Sequence, residues 1–423
     1  MLSHEDNEYL VHTGPGTIMG DVMRSYWIPA LLSSEVPEAD GKPKRIKLLG
    51  EDLVAFRDTN GAVGLLDEFC PHRGASLALA VNEECGLRCL YHGWKFDVSG
   101  QCVDQPTEPK GAILKKAMRT RAYPTRDVAG MIWTYMGPLD QEPAFPNFEW
   151  FDLPAPQCVA FKVMGDCNYA QLLEGSIDTV HAGVLHRAKP WSAKIEESAT
   201  AWQTNLQAKL EVEFTAYGMR YAGIRRTGED TYNARVTPMV MPCYTLIPFE
   251  VSSANKGTRR LVNAFVPRDD ESTWVFQFMY DYVNPIDVAR RIEEGGLWID
   301  ENFRKLSNRE NNYKQDRVAM KTGMMSGLKG IMVQDHAVGE TQGKILDRTK
   351  ERLGTSDLAV VAWRRLMLKT AHALRREGIR PPAATPQGVP FDRIRPEVIN
   401  FSGAESWTQL APLPESLVLE AAD

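Results

Sequence analysis

The feature of this 423-residue chain that most constrains its fold is a pair of ligand motifs, Cys70-x-His72 and Cys89-x-x-His92, inside CPHRGASLALAVNEECGLRCLYHGW. A thiolate and an imidazole one or two residues apart share one tight loop, so the stretch calls for two loops that converge on metal. Two thiolates and two imidazoles suit a structural zinc, and they suit equally a centre that carries electrons. The flanking sequence reads as short strands. Residues 53–56 and 63–66 bracket DTNG at 58–61, where Asn60-Gly61 offers the positive backbone angles of a hairpin turn. DVSGQC at 97–102 is a second turn signal. The ligands are therefore expected on loops of a compact β module. Cys85 lies outside the spacing and reads as a free thiol.

At this length, with 43% hydrophobic residues, the chain is too long for one ordinary domain. The expected division is an N-terminal segment (1–40) packing on the larger domain, a β domain (41–150) ending in a Pro-rich passage from Pro138 to Pro156, and a second domain (151–423). Residues 16–31 read as a short helix closed by Pro29. In the second half, residues 209–215 (KLEVEFT) alternate Leu210, Val212 and Phe214 with polar neighbours, and 261–266 and 274–279 also read as strands. These predict an antiparallel sheet with one face covered. Ser356 is placed to cap a helix whose stripe is Ala359, Trp363, Met367, Thr370/Ala371 and Leu374, with Arg365, Lys369 and Arg376 opposite, stopped by Gly378 and Pro381. The larger domain is thus expected to be α+β.

A net charge of −6 without a basic block argues against nucleic acid or an anionic membrane surface as partner. The first residues lack a signal-peptide pattern and no apolar run is long enough to span a bilayer, which predicts a cytoplasmic protein. Seven cysteines without framework spacing do not read as disulfides.

A second ligand set lies in CNYAQLLEGSIDTVHAGVLH (167–186), where Asp178, His181 and His186 stand at Asp-x2-His-x4-His spacing. Five residues exceed one helical turn, so a helix here must bend or loosen between the histidines. Spacing alone leaves metal binding and accident open. Non-haem iron is held by two histidines and one carboxylate on one face, so a distant carboxylate is required. Asp316 and Asp347 are both eligible, and physics alone does not choose among the acids.

The dressing of the first stretch (Pro71, Arg73 and Gly74; Tyr91, Gly93 and Trp94) closely resembles the Rieske [2Fe-2S] motif, in which two cysteines hold one iron and two histidines the other. TGPGTIMGDVMRSYWIPALL, EGSIDTVHAGVLH and QDHAVGETQGKILDR extend the resemblance over almost the whole chain to Rieske non-haem iron oxygenase α subunits of the phthalate-dioxygenase type. That group includes ring dioxygenases, monooxygenases and O-demethylases. The resemblance implies a small all-β Rieske domain joined to a catalytic domain with a helix-grip-like antiparallel sheet, assembled head to tail as a homotrimer or stacked trimers. It implies a [2Fe-2S] cluster on Cys70, His72, Cys89 and His92, and mononuclear Fe(II) on His181, His186 and Asp335. His336 is left to packing, because adjacent residues rarely aim the same way. Asp178 would bridge an iron-ligating histidine and a Rieske histidine of the neighbouring subunit; the alternative is that it only orients His181. A separate NAD(P)H-dependent flavin and iron-sulfur reductase would supply electrons, with O2 and an aromatic acid as substrates.

For the substrate, an aryl carboxylate calls for arginine. Arg220, Arg225, Arg226 and Arg235 are available, but half of such strand residues face away, and 202–211 and 239–249 contain no arginine. The expectation leans to O-demethylation of a methoxylated lignin-derived acid, 5,5′-dehydrodivanillate being one candidate, with cis-dihydroxylation of a phthalate-like or benzoate-like ring as the alternative. A Rieske electron-transfer protein without catalysis and a zinc-stapled binding protein are the readings from other classes.

Overall fold

The computed structural model describes residues 2–109, 114–196, 199–249 and 257–419. Two helices open the chain, α1 (His4–Val11) and α2 (Ile18–Arg24). Ser3 and Thr17 cap them by accepting from the backbone N–H of Asp6 and Gly20. The chain then enters β1 (Trp27–Leu32), so Pro29 lies within a strand and does not end a helix. It is tolerated because β1 is an edge strand of a three-stranded sheet, and the register shifts between Pro29 and Leu31.

The β module contains β2 (Lys44–Leu48), β3 (Glu51–Arg57) and β4 (Val63–Asp67) in one sheet, and β5 (Val81–Glu83), β6 (Gly86–Arg88), β7 (Lys95–Phe96) and β8 (Cys102–Asp104) in another. β9 (Thr125–Val128) and β10 (Met131–Tyr135) complete the sheet with β1. The β3–β4 hairpin forms at DTNG, but only Gly61 has positive φ. Asp58 holds the turn, its Oδ1 accepting from the N–H groups of Asn60 and Ala62. This module has its own core of Val54, Phe56, Leu66, Leu87, Trp94 and Phe96, with Cys70 and Cys89 inside it.

The larger part is built on one antiparallel sheet, ordered β11 (Cys158–Gly165), β17 (Ser272–Asp281), β16 (Arg259–Asp269), β15 (Tyr244–Ile247), β14 (Thr231–Val240), β13 (Gly218–Arg226) and β12 (Lys209–Thr215). A late strand, β18 (Glu397–Ser402), pairs with the first half of β14. The expectation of one covered face fails at β17, next to the β11 edge, where all ten residues are buried. It fails in the other direction at the edge, where Phe214 of β12 is 44% exposed. Core neighbours on both sides, which periodicity along one strand does not report, decide which faces are covered.

Five further helices position the site: α3 (Tyr169–Ile177), α4 (Ala182–Leu185), α5 (Val288–Gly295), α6 (Ile331–Thr341) and α7 (Leu358–Glu377). The expected stripe on α7 is buried, including Ala359, Trp363, Met367 and Ala371, and Gly378 ends the helix at φ +67°. The helix starts after a 3-10 turn over Thr355–Asp357, with Asp357 and not Ser356 at its N-cap. Among the described residues no helix is long and apolar enough to cross a membrane.

Two sets of contacts make α3 a fixed platform. Buried Glu174 receives Arg348 and Arg364, at 2.9 and 2.7 Å to one of its oxygens. Burial opposes its charge, but the two guanidinium groups hold its carboxyl below the usual range. Gln171 donates to the carbonyls of Gly339 and Gly343, tying α3 to the end of α6. The helices approach closely at Gly339, where a Cβ would lie 2.8 Å from Leu172 Cδ2.

Candidate metal centre

α3 ends at Asp178, whose Oδ1 accepts from the backbone N–H of Val180 at 2.7 Å and of His181 at 3.3 Å. The next helix is a single turn, with His181 at its N-cap and His186 at its C-cap. Because the chain leaves helical geometry at His186, the five-residue spacing does not send the two rings apart. Their Nε2 atoms lie 3.3 Å from each other. Asp335, from the first turns of α6, brings Oδ1 to 3.5 Å from His181 Nε2 and 3.2 Å from His186 Nε2. A metal about 2.1 Å from each donor sets neighbouring donors about 3.0–3.4 Å apart, so the three atoms are spaced as one face of a coordination shell. Asp316 and Asp347 are elsewhere: the first accepts from the N–H groups of Val318 and Ala319, the second closes a turn with Thr349 and Lys350.

Each histidine has an outer partner. Gln334 Nε2 donates to the Leu328 carbonyl at 2.8 Å, which turns its oxygen toward His186 Nδ1, 2.6 Å away. His186 therefore carries its proton on Nδ1 and presents Nε2 as a lone pair. His181 Nδ1 lies 3.6 Å from Asp178 Oδ2. Burial opposes charge on His181, yet Asp178 and Asp335 raise it to about 10. Asp335 is held well below the usual carboxylate range against its burial, by His186 and His181. Three donors that polarise one another this strongly suit a cation between them. His336 turns away from the triad. It is 2% exposed, and its Nδ1 lies 2.7 Å from Lys305 Nζ, which also donates to Glu340.

The triad opens on a cavity of about 390 Å³, walled by Leu261, Val275, Met279 and Phe265 of the sheet and by Met332 of α6. Asp335 lies deep in the fold, yet its side chain is 36% accessible because it faces this space. A shallower depression on the other side also reaches Asp178, His181 and Asp335, bounded by Gln171, Val338 and Gln342. Asp178 thus borders both the inner cavity and this more open outer recess. Of the four arginines considered from sequence, only Arg235 lines the cavity. Arg220 pairs with Glu213 and donates to the Ala411 carbonyl, Arg225 donates to the Asn205 and Thr179 carbonyls, and Arg226 turns back on its own hairpin. Arg259 and Arg291, outside that set, also line it.

The Cys/His loops join β4 to β5 and β6 to β7, and they share one design. Cys70 N–H donates to the Ala75 carbonyl and Gly74 N–H returns to Cys70; Cys89 N–H donates to the Trp94 carbonyl and Gly93 N–H returns to Cys89, all four at 2.9 Å. Gly74 and Gly93 have φ of +72° and +73°, which explains glycine four residues after each cysteine. Both cysteines are 3% exposed, while the histidines are half-buried on the outer side. The His72 ring stacks on Trp94 at 4.3 Å, and the His72 and His92 rings are 4.4 Å apart. Burial, with Cys89 alongside, pushes the Cys70 thiol up to about 11, so thiolates here need positive charge beside them. Among the described residues the single group of three donors all within 4.8 Å of one another is His181, His186 and Asp335. A tetrahedral zinc would hold Cys70, His72, Cys89 and His92 closer than that, about 3.4–3.8 Å apart. Buried sulfurs and outer imidazoles set further apart fit two metal positions, as in a [2Fe-2S] centre.

Residues 26–124 match the Rieske [2Fe-2S] domain model, and residues 134–389 match the model described as LigXa C-terminal domain like. The chain belongs to the Rieske non-haem iron oxygenases. It is 40% identical over 390 residues to the phthalate 4,5-dioxygenase oxygenase subunit of Pseudomonas putida, covering 89% of this chain and 87% of the relative. It is 37% identical to the 3-chlorobenzoate-3,4-dioxygenase oxygenase subunit of Comamonas testosteroni, covering 90% and 91%. It is 32% identical to the 5,5'-dehydrodivanillate O-demethylase oxygenase subunit of Sphingobium sp., covering 89% and 82%. The fold of dicamba monooxygenase superposes with a TM-score of 0.59 at 21% identity, over 84% of this chain and 99% of that one. This Rieske oxygenase is thus an enzyme carrying a [2Fe-2S] cluster and mononuclear iron, which sets aside the carrier and zinc-protein alternatives.

Proposed function

We propose that this oxygenase component uses O2 and electrons from a separate reductase to oxidise an aromatic carboxylate, with His181, His186 and Asp335 as the mononuclear iron ligands and Cys70, His72, Cys89 and His92 as the cluster ligands. The observation that carries it is the convergence of the three donor atoms at 3.2–3.5 Å beside a cavity large enough for one substituted ring. When bound, the cluster supplies single electrons and the mononuclear iron supplies oxygen activation.

The chain's own residues do the rest. Gln334 fixes the His186 tautomer, and α3, held by Glu174 and Gln171, fixes the place of His181. Leu261, Val275 and Met279 exclude water from the ring's surroundings. In this reading Asp178, which borders the outer recess and lies 3.6 Å from His181 Nδ1, meets His92 of a second copy in a head-to-tail trimer and links that imidazole to His181. Tyr91, beside His92 and 52% exposed, leaves that loop tip free to dock.

Between reactions, ring cis-dihydroxylation of a benzoate-like or phthalate-like acid now stands first. The O-demethylation expectation rests on the lack of arginine in 202–211 and 239–249, whereas Arg235, Arg259 and Arg291 line the cavity from other positions. Demethylation stays the second reading on the strength of the dehydrodivanillate relative. The test is metal analysis followed by turnover. About three irons and two sulfides per chain are expected, falling to about two irons with sulfide unchanged in Asp335→Ala. With a reductase, an aryl-acid panel should stimulate oxygen uptake and give a cis-diol; formaldehyde would establish demethylation instead. Unchanged iron in Asp335→Ala, or uptake that no aryl acid stimulates, would overturn the reading.

A further inference from the structure

The cavity contains a buried cation with no carboxylate hydrogen-bonded to it among the described residues. Arg291, in the middle of α5, is 5% exposed and lines the cavity. Its Nη2 donates to Gln277 Oε1 at 2.8 Å, while its Nε has no partner. The acids of its own helix are engaged elsewhere: Asp287 caps the helix, Glu293 pairs with Lys329 and Glu294 with Arg290. Burial pulls the Arg291 pKa below its ordinary value; Glu294, which also lines the cavity, offsets this only in part, and Arg259 adds to it. A desolvated guanidinium whose one hydrogen-bond partner is a neutral amide and whose acidic neighbour is bonded elsewhere is unfavourable by itself, and an arriving anion completes it.

The wall leading from Arg291 has a built polarity. Gln277 passes its own hydrogen bond to Asn263 Oδ1 at 2.7 Å, and Ser176 lies beyond, 2.6 Å from Thr245 Oγ1. Because Gln277 Nε2 is committed to Asn263, its oxygen must face Arg291, so the file ends in the guanidinium. Leu261, Val275 and Met279 offer a ring an apolar face. Guanidinium N–H groups match the two oxygens of a carboxylate in parallel.

We propose that Arg291 is the anchor for the carboxylate of an aromatic substrate, which lies along the apolar wall with its reacting carbon toward His181, His186 and Asp335. This rests on the aryl-acid reading above and names the residue that enforces it.

The test is calorimetric titration of the iron-loaded oxygenase with benzoate, phthalate and 3-chlorobenzoate and with the corresponding amides. Wild-type protein should bind at least one acid more tightly than its amide. Arg291→Gln should weaken that acid about 10- to 100-fold and leave the amide unchanged, with iron and sulfide content as in wild type. Arg291→Lys keeps the charge without the planar fork and should lose about tenfold while still preferring the acid. If Arg291→Gln does not fold, the lysine variant decides, and full acid affinity in it overturns the proposal. Retained acid preference in Arg291→Gln overturns the role of Arg291 and leaves the aryl-acid reading standing. Wild-type protein that binds acids and amides alike, or neither, overturns both.

Discussion

The side-chain oxygen of Gln334 accepts the Nδ1 proton of His186 at 2.6 Å, and the orientation of that amide is set from behind by the Leu328 carbonyl. A neutral carboxamide thus serves His186, while a carboxylate, Asp178, stands behind His181. Gln334→Leu removes the acceptor and frees the ring to rotate. Outer partners of this kind are worth about 10- to 100-fold in metal affinity, and that loss is expected in iron titrations of the variant. Cluster absorbance should not change, because the Cys/His loops lie in a separate core.

Metal binding to the triad should be proton-linked. In the metal-free protein His181 is raised to about 10 from its ordinary 6.5, so its pairing with Asp178 and Asp335 stabilises the fold fully below about 6.5 and is lost as pH rises through about 10. Asp335 is shifted the other way from 3.8, so its contribution is present above that value and lost as pH falls through its lowered pKa. A metal needs His181 neutral, so the proton must leave. Cobalt(II) titrations between pH 7 and 9 should release about one proton and tighten about tenfold per pH unit. A pH-independent affinity would refute the linkage.

How much of this was legible in the sequence follows from distance along the chain. The Cys70/His72 and Cys89/His92 loops were readable because their ligands are local and their glycines encode the turn. His181 and His186 were readable as a pair. Asp335 was not readable from spacing, since it reaches them only through α3–α6 packing at Gly339 and Gln171, contacts with no local signature. Gln334 looks like any polar helix residue until the fold sets it against His186. Arg291 has no such signal, because the expected carboxylate anchors lie on the strands from Arg220 to Arg235, whereas it comes from a helix that lines the cavity. Pro29 misled for a related reason: a proline ends a helix, but it is equally at home in an edge strand.

The twin glycines allow a matched comparison. Gly74 and Gly93 have nearly the same φ, but a Cβ on Gly74 meets nothing within 4 Å, whereas on Gly93 it lies 2.7 Å from Pro106 Cγ. Gly74→Ala should cost only the left-handed backbone penalty, about 1–2 kcal/mol. Gly93→Ala adds overpacking, for about 2–5 kcal/mol in all. Thermal melts and sulfide content per chain should therefore rank wild type above Gly74→Ala above Gly93→Ala; equal losses would mean that Pro106 moves aside freely.

Asp178 is the residue on which the two-cofactor reading turns. Its Oδ1 is spent on the N–H groups of Val180 and His181, leaving Oδ2 toward His181 Nδ1 and the outer recess. Burial opposes its charge, yet His181 and those N–H groups hold its carboxyl below the usual range, so it is an anion at neutral pH. Asp178→Asn keeps the turn, because the amide oxygen still accepts from the backbone, but removes the charge facing the recess. Iron content and the cluster spectrum should therefore persist. Single-turnover reoxidation of the reduced cluster in the presence of O2 and an aryl acid should slow by about 100-fold, taking the upper end of outer-partner effects. A wild-type rate would mean that Asp178 only orients His181 within its own subunit.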